Sequence, residues 1–233
     1  MIYGNEQTFG RTGAGERSII KNVYLWMTAG LALTGVVAFW LSGNVSLMRG
    51  LVSNSVLFFG LIIGEFALVM YLSARIMKMS AGAATLAFAL YAFLNGITLS
   101  VIFLAYTGVT ISLAFFTTAG TFGAMSLYAM TTKKDLSGMG HYLTMGVMGI
   151  IVVSVINFFV KSPAIYYLIS YAGVAVFLGL TAYDTQKILS WSNRAGSVSE
   201  DEYIKISIMG ALKLYLDFIN IFLFMLRIFG RRR

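Results

Sequence analysis

This chain contains very long stretches without a charged residue. Residues 79–132 form a run of 54 residues without a single Asp, Glu, Lys or Arg. Since about 20 apolar residues cross the hydrocarbon core of a bilayer as a helix, this run suits two crossings joined by a tight turn near Tyr106–Thr110. Over the whole chain 58% of the residues are hydrophobic and only 11% are charged, whereas soluble domains carry about 25% charged residues. The sequence therefore predicts an integral membrane protein.

Apolar intervals with few or no charged residues occur along the rest of the chain; Glu65 interrupts the one at about 56–74, and several charged residues interrupt the last one, at 204–229. They predict further helices at residues 22–48, at about 56–74, between 141 and 161, between 161 and 184, and at 204–229. A single proline favours short connections over turn-rich soluble insertions. We therefore predict an all-α bundle of seven helices. It would comprise a polar N-terminal tail at residues 1–21, one transmembrane domain at 22–230 and a basic C-terminal tail at 231–233.

Composition excludes several kinds of site. The chain has no cysteine, which rules out disulfides, thiolate nucleophiles and iron–sulfur clusters, and its single histidine cannot supply the imidazoles of a catalytic zinc or haem centre. We therefore expect no cofactor. A net charge of +8 is also found in nucleic-acid-binding proteins, but this chain lacks a polar surface for a basic patch. We expect no nucleic-acid partner, and we interpret the positive charge as a signal of membrane orientation.

The distribution of Lys and Arg predicts which side of the membrane holds the N-terminus. If the helices alternate, ten basic residues fall on the N-terminal side: Arg11, Arg17, Lys21, Arg75, Lys78, Lys133, Lys134, Lys187, Arg194 and Lys205. The other side holds only Arg49 and Lys161. Because cytoplasmic loops carry the excess of Lys and Arg, the N-terminus is predicted to be cytoplasmic.

The last apolar segment is the unusual one. A full seventh crossing would carry four arginines to the side that is poor in positive charge. Only 13 residues separate Lys213 from Arg227, and Asp217 is among them, which is too few for a span that faces lipid. We therefore predict a short C-terminal helix that is either buried centrally in the bundle or re-entrant.

Three acids lie within or at the edge of apolar helices, where an ionised carboxylate is costly: Glu65, Asp184 and Asp217. Asp184 and Asp217 reach the same depth if the last helix enters the membrane near Gly210. Two adjacent carboxylates in a poorly solvated site would share a proton. Such a pair is a pH switch, and after deprotonation it offers oxygen ligands to a cation such as Ca²⁺.

The final helix also carries a polar stripe. Its members follow a 4, 3, 7 spacing that puts them on one side of a helix: Lys213, Asp217, Asn220 and Arg227. The alternative interpretation is structural, with each acid paired to a nearby base. Lys213 lies one turn before Asp217, and Lys187 lies three residues after Asp184.

Several motifs together resemble the Bax inhibitor family. They are Thr181-Ala-Tyr183-Asp184-Thr-Gln186-Lys187, Tyr215-Leu-Asp217-Phe-Ile-Asn220, Leu226-Arg227-Ile-Phe-Gly230, Asn95-Gly-Ile-Thr-Leu-Ser100 and Thr131-Thr-Lys-Lys-Asp135-Leu-Ser. In this order they cover the chain from about residue 22 to Gly230. The resemblance implies two three-helix layers around a central C-terminal helix. The short N-terminus and the absence of cysteine resemble the branch found in the bacterial inner membrane.

The same resemblance implies a pH-sensitive calcium leak, with the bilayer, Ca²⁺ and protons as partners. Asp184 and Asp217 would then be the proton-sharing pair and the Ca²⁺ ligands. Arg75 resembles the arginine that latches the closed state by binding the aspartate of the sixth helix. The accessory candidates are Glu65, Lys213, Asn220 and Arg227.

Two other functions compete with this one. Some bacterial members of the family interact with a membrane-bound AAA protease, which implies a modulator without transport activity as the alternative. Two aspartates on separate helices also match an intramembrane aspartyl protease. The Gly-x-Gly-Asp element expected at the second aspartate is replaced by Tyr215-Leu-Asp217, so we expect no enzymatic activity.

Overall fold

The computed structural model describes the backbone of residues 7–194 and 198–230, and the side chains of residues 19–192 and 198–230. Within these residues the chain is helical and contains no β-strand, which confirms the all-α fold. The helices are α1 (Gln7–Ser42), α2 (Val45–Ser53), α3 (Ser55–Arg75), α4 (Ala81–Ser100), α5 (Ile102–Ala105), α6 (Gly108–Thr131), α7 (Met139–Val160), α8 (Pro163–Arg194) and α9 (Glu200–Phe229). A 3₁₀ turn, Ile76–Lys78, follows α3.

Short polar side chains start several of these helices. The Asn54 side chain accepts a hydrogen bond from the Leu57 N–H at the start of α3. Ser80 and Thr107 cap α4 and α6 in the same way. Such a cap satisfies one of the N–H groups that have no partner in the first helical turn. The Thr107 cap lies in the turn that the sequence predicts between the third and fourth crossings.

Seven helical segments of the described chain are long and apolar enough to cross a membrane. The last of them, Glu200–Phe229, is mostly buried inside the protein, whereas no part of Met139–Val160 is buried. The predicted burial of the last helix is confirmed. Its length differs from the prediction, because α9 runs unbroken for 30 residues, about 45 Å, which suffices for a full crossing.

Two other boundaries differ from the prediction. Helix α1 begins at Gln7 and therefore includes part of the predicted polar tail. Helix α8 continues to Arg194, so Asp184 lies inside the helix and not at its end. The predicted basic tail at residues 231–233 lies outside the described residues.

The described residues form two compact units. The first contains the chain up to Ala105 together with Ile188–Tyr215, and the second contains Tyr106–Lys187 together with the chain from Leu216 onward. The division falls within α8 and α9, so each of these two helices contributes one part to each unit.

In the first unit α1 packs closely against α4. A Cβ atom at Gly96 of α4 would lie 2.8 Å from the Thr34 carbonyl oxygen and 2.8 Å from the Val37 Cβ. The Thr34 hydroxyl donates a hydrogen bond of 2.8 Å to the Ala92 carbonyl. Small residues permit such close approach between membrane helices, and interhelical hydrogen bonds then add to the packing.

In the second unit α9 packs against α6 and α8 through aromatic rings. The Phe218 ring lies 5.7 Å and 5.5 Å from the rings of Phe115 and Phe122 on α6. The Phe224 ring lies 6.0 Å from the Phe177 ring on α8. These contacts fix the face that this part of α9 turns toward each neighbour.

Candidate functional site

Asp184 and Asp217 both lie in the second unit, on α8 and α9, and both are buried. Their exposed fractions are 6% and 4%. Tyr166 of α8 contacts Arg227 of α9, and Phe177, which comes later in α8, contacts Phe224, which comes earlier in α9. The two helices therefore run antiparallel here. Two carboxylates thus lie in the low-dielectric interior on adjacent helices, where a charge is expensive.

The contact between Phe177 and Phe224 sets the register of these helices. Asp184 lies seven residues beyond Phe177, and Asp217 lies seven residues before Phe224. Seven residues are about two turns and about 10.5 Å of rise, so each aspartate stays within about 20° of the face that carries its phenylalanine. Phe224 also lies against Gly173, where an added Cβ atom would be 2.5 Å from the ring. If the Gly173 contact and not the Phe177 contact defined the register, the levels of the two aspartates would differ by about 6 Å, the rise of four residues. The two aspartates therefore lie at the same level to within about one helical turn.

The chain around Asp184 is held by Gln186, which the sequence did not single out. Its side-chain oxygen accepts a hydrogen bond of 2.6 Å from the Leu136 N–H, and its amide donates one of 2.8 Å to the Lys134 carbonyl. Leu136 packs with Ala182 in a small buried cluster. One motif of α8 is thereby joined to the motif in the loop before α7.

That loop is also closed by a local bond. The Ser137 N–H donates a hydrogen bond of 2.8 Å to a carboxylate oxygen of Asp135. This bond stabilises the charged form and holds the pKa of Asp135 below its ordinary value. Asp135 is exposed, so it provides a solvent-facing aspartate in the same unit as the buried pair.

The remaining predicted site residues have separate surroundings. Arg75 ends α3 in the first unit and is exposed; its role as a latch stays a prediction. Lys213 is half-buried on the part of α9 that belongs to the first unit. The Asn220 amide donates to the Leu216 carbonyl of its own helix. The Arg227 guanidinium lies 5.3 Å from the Phe224 ring.

Glu65 belongs to a different buried cluster, in the first unit. It is 8% exposed on α3 and accepts a hydrogen bond from the Thr98 hydroxyl of α4. The Asn95 side chain, three residues before Thr98 on the same side of α4, also interacts with this carboxyl. The motif that begins at Asn95 therefore supplies neutral hydrogen-bond partners to a buried acid.

The described residues contain no group of three or more His, Cys, Asp or Glu side chains that would hold a metal ion. Ca²⁺ takes six to eight oxygen ligands in its stable sites. Asp184 and Asp217 together offer four carboxylate oxygens.

Comparison with known proteins decides the family. The family model described as "Inhibitor of apoptosis-promoting Bax1" matches residues 16–233. This chain belongs to the Bax inhibitor family. The resemblance found in the sequence motifs is thus confirmed over almost the entire chain.

Bacterial relatives match over most of their length. The inner membrane protein YbhL of Escherichia coli K12 is 50% identical over 220 residues, which are 94% of this chain and 94% of the relative. An uncharacterized protein of Borreliella burgdorferi is 44% identical over 92% of this chain and 94% of its own. An uncharacterized membrane protein of Streptococcus pyogenes, SpyM3_0260, is 34% identical over 95% and 96%. This member of the family is accordingly a multi-pass membrane protein.

Sequence reasoning found the acids of this Bax inhibitor family protein but missed two neutral side chains that make hydrogen bonds between distant parts of the chain. Thr98 and Gln186 carry no charge and stand 33 and 50 residues from Glu65 and Leu136, respectively. Only their place inside the quoted motifs marked them. A buried amide or hydroxyl leaves no signal in charge or periodicity, so the contacts had to come from the structure.

Proposed function

We propose that this chain is a pH-sensitive calcium leak channel gated by a proton that Asp184 and Asp217 share. The observation that supports the proposal is the placement of two buried carboxylates at one level on adjacent antiparallel helices. Burying one ionised carboxylate costs several kcal/mol, and burying a second one beside it costs more. A single shared proton removes one of the two charges and with it their mutual repulsion, which favours the closed state.

Loss of that proton supplies the force for opening. At a separation of about 6 Å and an effective dielectric constant of about 20, two like charges repel by about 3 kcal/mol. A bias of this size changes a two-state equilibrium about 150-fold, since about 1.4 kcal/mol corresponds to a factor of 10. The separated carboxylates then offer oxygen atoms to Ca²⁺. We also propose that the N-terminus is cytoplasmic, on the strength of the Lys and Arg distribution.

Calcium flux into liposomes tests this function. The purified full chain is reconstituted with a calcium dye inside the vesicles, and influx is followed from pH 6 to pH 8. We expect influx to rise with pH in the wild type. Asp184→Asn and Asp217→Asn should each abolish the rise, because one neutral amide removes both the shared proton and the repulsion.

Asp135→Asn is the matched control, since it makes the same chemical change at an exposed aspartate of the same unit. It should keep the wild-type response to pH. If influx is absent, or if Asp217→Asn responds to pH as the wild type does, the channel function is refuted. Absence of flux would favour the alternative of a modulator that binds a membrane-bound AAA protease without transport.

A further inference from the structure

A cavity of about 840 Å³ lies at one end of the second unit. It is formed where α7 ends, α8 begins and α9 ends, with Tyr106 from the turn before α6. Ligand sites in proteins commonly enclose about 300–1,000 Å³, so the cavity has the size of a binding site. Neither Asp184 nor Asp217 lines it.

The charged side chains among the described lining residues of the cavity are all cationic. Lys161 and Arg227 line it, and no aspartate or glutamate is among its described lining residues. The Arg227 guanidinium is held over the rings of Tyr166 and Phe224, at 5.7 Å and 5.3 Å. Aromatic faces orient a guanidinium without neutralising it, so its N–H groups remain able to bind an oxyanion.

The backbone between α7 and α8 adds positive potential to the same place. Lys161 takes a left-handed conformation, with φ of 55°, and ends α7. The Asn157 side chain accepts a hydrogen bond of 3.0 Å from the Ser162 N–H, and α8 starts at Pro163. The positive end of the α8 dipole therefore adjoins the two cations.

The cavity lies at the depth of lipid headgroups. Helix α7 has 22 residues and no buried side chain; its length of about 33 Å matches the hydrocarbon thickness of about 30 Å. Lys161, directly after it, is therefore at the membrane surface. Phe158 and Phe159 beside the cavity are each 75% exposed, which is the exposure expected of side chains that face acyl chains.

We propose that this cavity binds the headgroup of an anionic phospholipid, with the phosphate between Lys161 and Arg227. A guanidinium and an ammonium group that line one cavity suit the oxygen atoms of a phosphate group. Tyrosine and serine hydroxyls of the lining suit a headgroup that itself carries hydroxyls, as phosphatidylglycerol does. A zwitterionic choline headgroup would bring a third cation into a cavity whose described lining residues include no carboxylate. This site is independent of the calcium proposal.

Lipid binding to the purified full chain tests the site. Native mass spectrometry in detergent measures the apparent Kd of dioleoyl phosphatidylglycerol and of dioleoyl phosphatidylcholine, which differ only in the headgroup. We expect phosphatidylglycerol to bind about tenfold more tightly. Arg227→Gln and Lys161→Gln should each weaken it about fivefold, because each removes one cation near the surface. Arg49→Gln is the matched control, an exposed arginine of α2 in the first unit, and should change nothing.

Any of the following results would overturn the proposal. Equal affinity for the two lipids, or equal losses in Arg49→Gln and Lys161→Gln, would show that binding is not at this cavity. Displacement of the lipid by 10 mM inorganic phosphate would show that the cavity takes a free anion. Lys161→Gln changes an exposed residue in a turn, so it keeps the test valid if Arg227→Gln does not fold.

Discussion

The hydrogen bond between Thr34 of α1 and Tyr215 of α9 permits a quantitative prediction. Their side-chain oxygens are 2.7 Å apart, and both residues are buried. A threonine hydroxyl has one hydrogen, and that of Thr34 is donated to the Ala92 carbonyl. Tyr215 is therefore the donor to Thr34. The two possible deletions are then unequal, because only one of them leaves a polar hydrogen without an acceptor.

Tyr215→Phe removes the donor and leaves the Thr34 hydroxyl bonded to Ala92. Hydrogen bonds inside membrane proteins contribute about 0.6 kcal/mol on average and at most about 1.7 kcal/mol, so we expect a loss of that size. Thr34→Val keeps the shape of the side chain but leaves the buried Tyr215 hydroxyl without an acceptor, which costs about 1–3 kcal/mol. The double variant has no orphaned hydroxyl, so its loss should be smaller than the sum of the two single losses.

The free energy of unfolding is measured by titration with sodium dodecyl sulfate in mixed micelles, followed by circular dichroism. Tyr142→Phe is the matched control, because this tyrosine of α7 is 74% exposed, and it should change the free energy by less than either buried substitution. Strict additivity in the double variant would refute the donor assignment. So would a larger loss in Tyr215→Phe than in Thr34→Val.

Two further predictions use the same unfolding assay. Gly96→Ala should destabilise by about 1–3 kcal/mol, because its Cβ would meet the Thr34 carbonyl; Gly120→Ala, with no atom within 4 Å of the added Cβ, should not destabilise. The Ser137 N–H holds the pKa of Asp135 below its ordinary value. The contribution of this carboxylate to the free energy of unfolding is therefore present above the ordinary aspartate pKa and is lost as the pH falls through the lowered pKa. Asp135→Asn should remove that part of the acid dependence, and an unchanged acid profile would contradict the assignment.

The lipid-facing part of the fold was predictable from the sequence for a physical reason. In hydrocarbon every backbone N–H and C=O must be satisfied within the segment, and the bilayer thickness sets the length. The prediction of about 56–74 for the second crossing accordingly agrees with α3 at Ser55–Arg75. The same reasoning found α7, whose side chains are all at least partly exposed.

The length of α9 was not predictable by that reasoning. The rule that a charge ends a span holds for a helix surrounded by lipid. Asp217 is buried in protein, and Lys213 is half-buried, so neither residue limits the helix. Sequence indicated that this segment was buried, because its polar stripe needs protein or water beside it. It did not show that burial also removes the limit on length.

The motif Tyr215-Leu-Asp217 combines an anchor and a titratable group on one helix. Residues two apart project about 200° from each other on a helix, so Tyr215 and Asp217 point to opposite sides of α9. The Tyr215 hydroxyl bond and its ring contacts with Phe88 and Tyr91, at 5.9 Å and 5.8 Å, fix the rotation of α9 within the first unit. None of these contacts involves a carboxylate. Asp217→Asn therefore leaves the anchor intact, and a loss of pH response in that variant would report the missing titration and not a displaced helix.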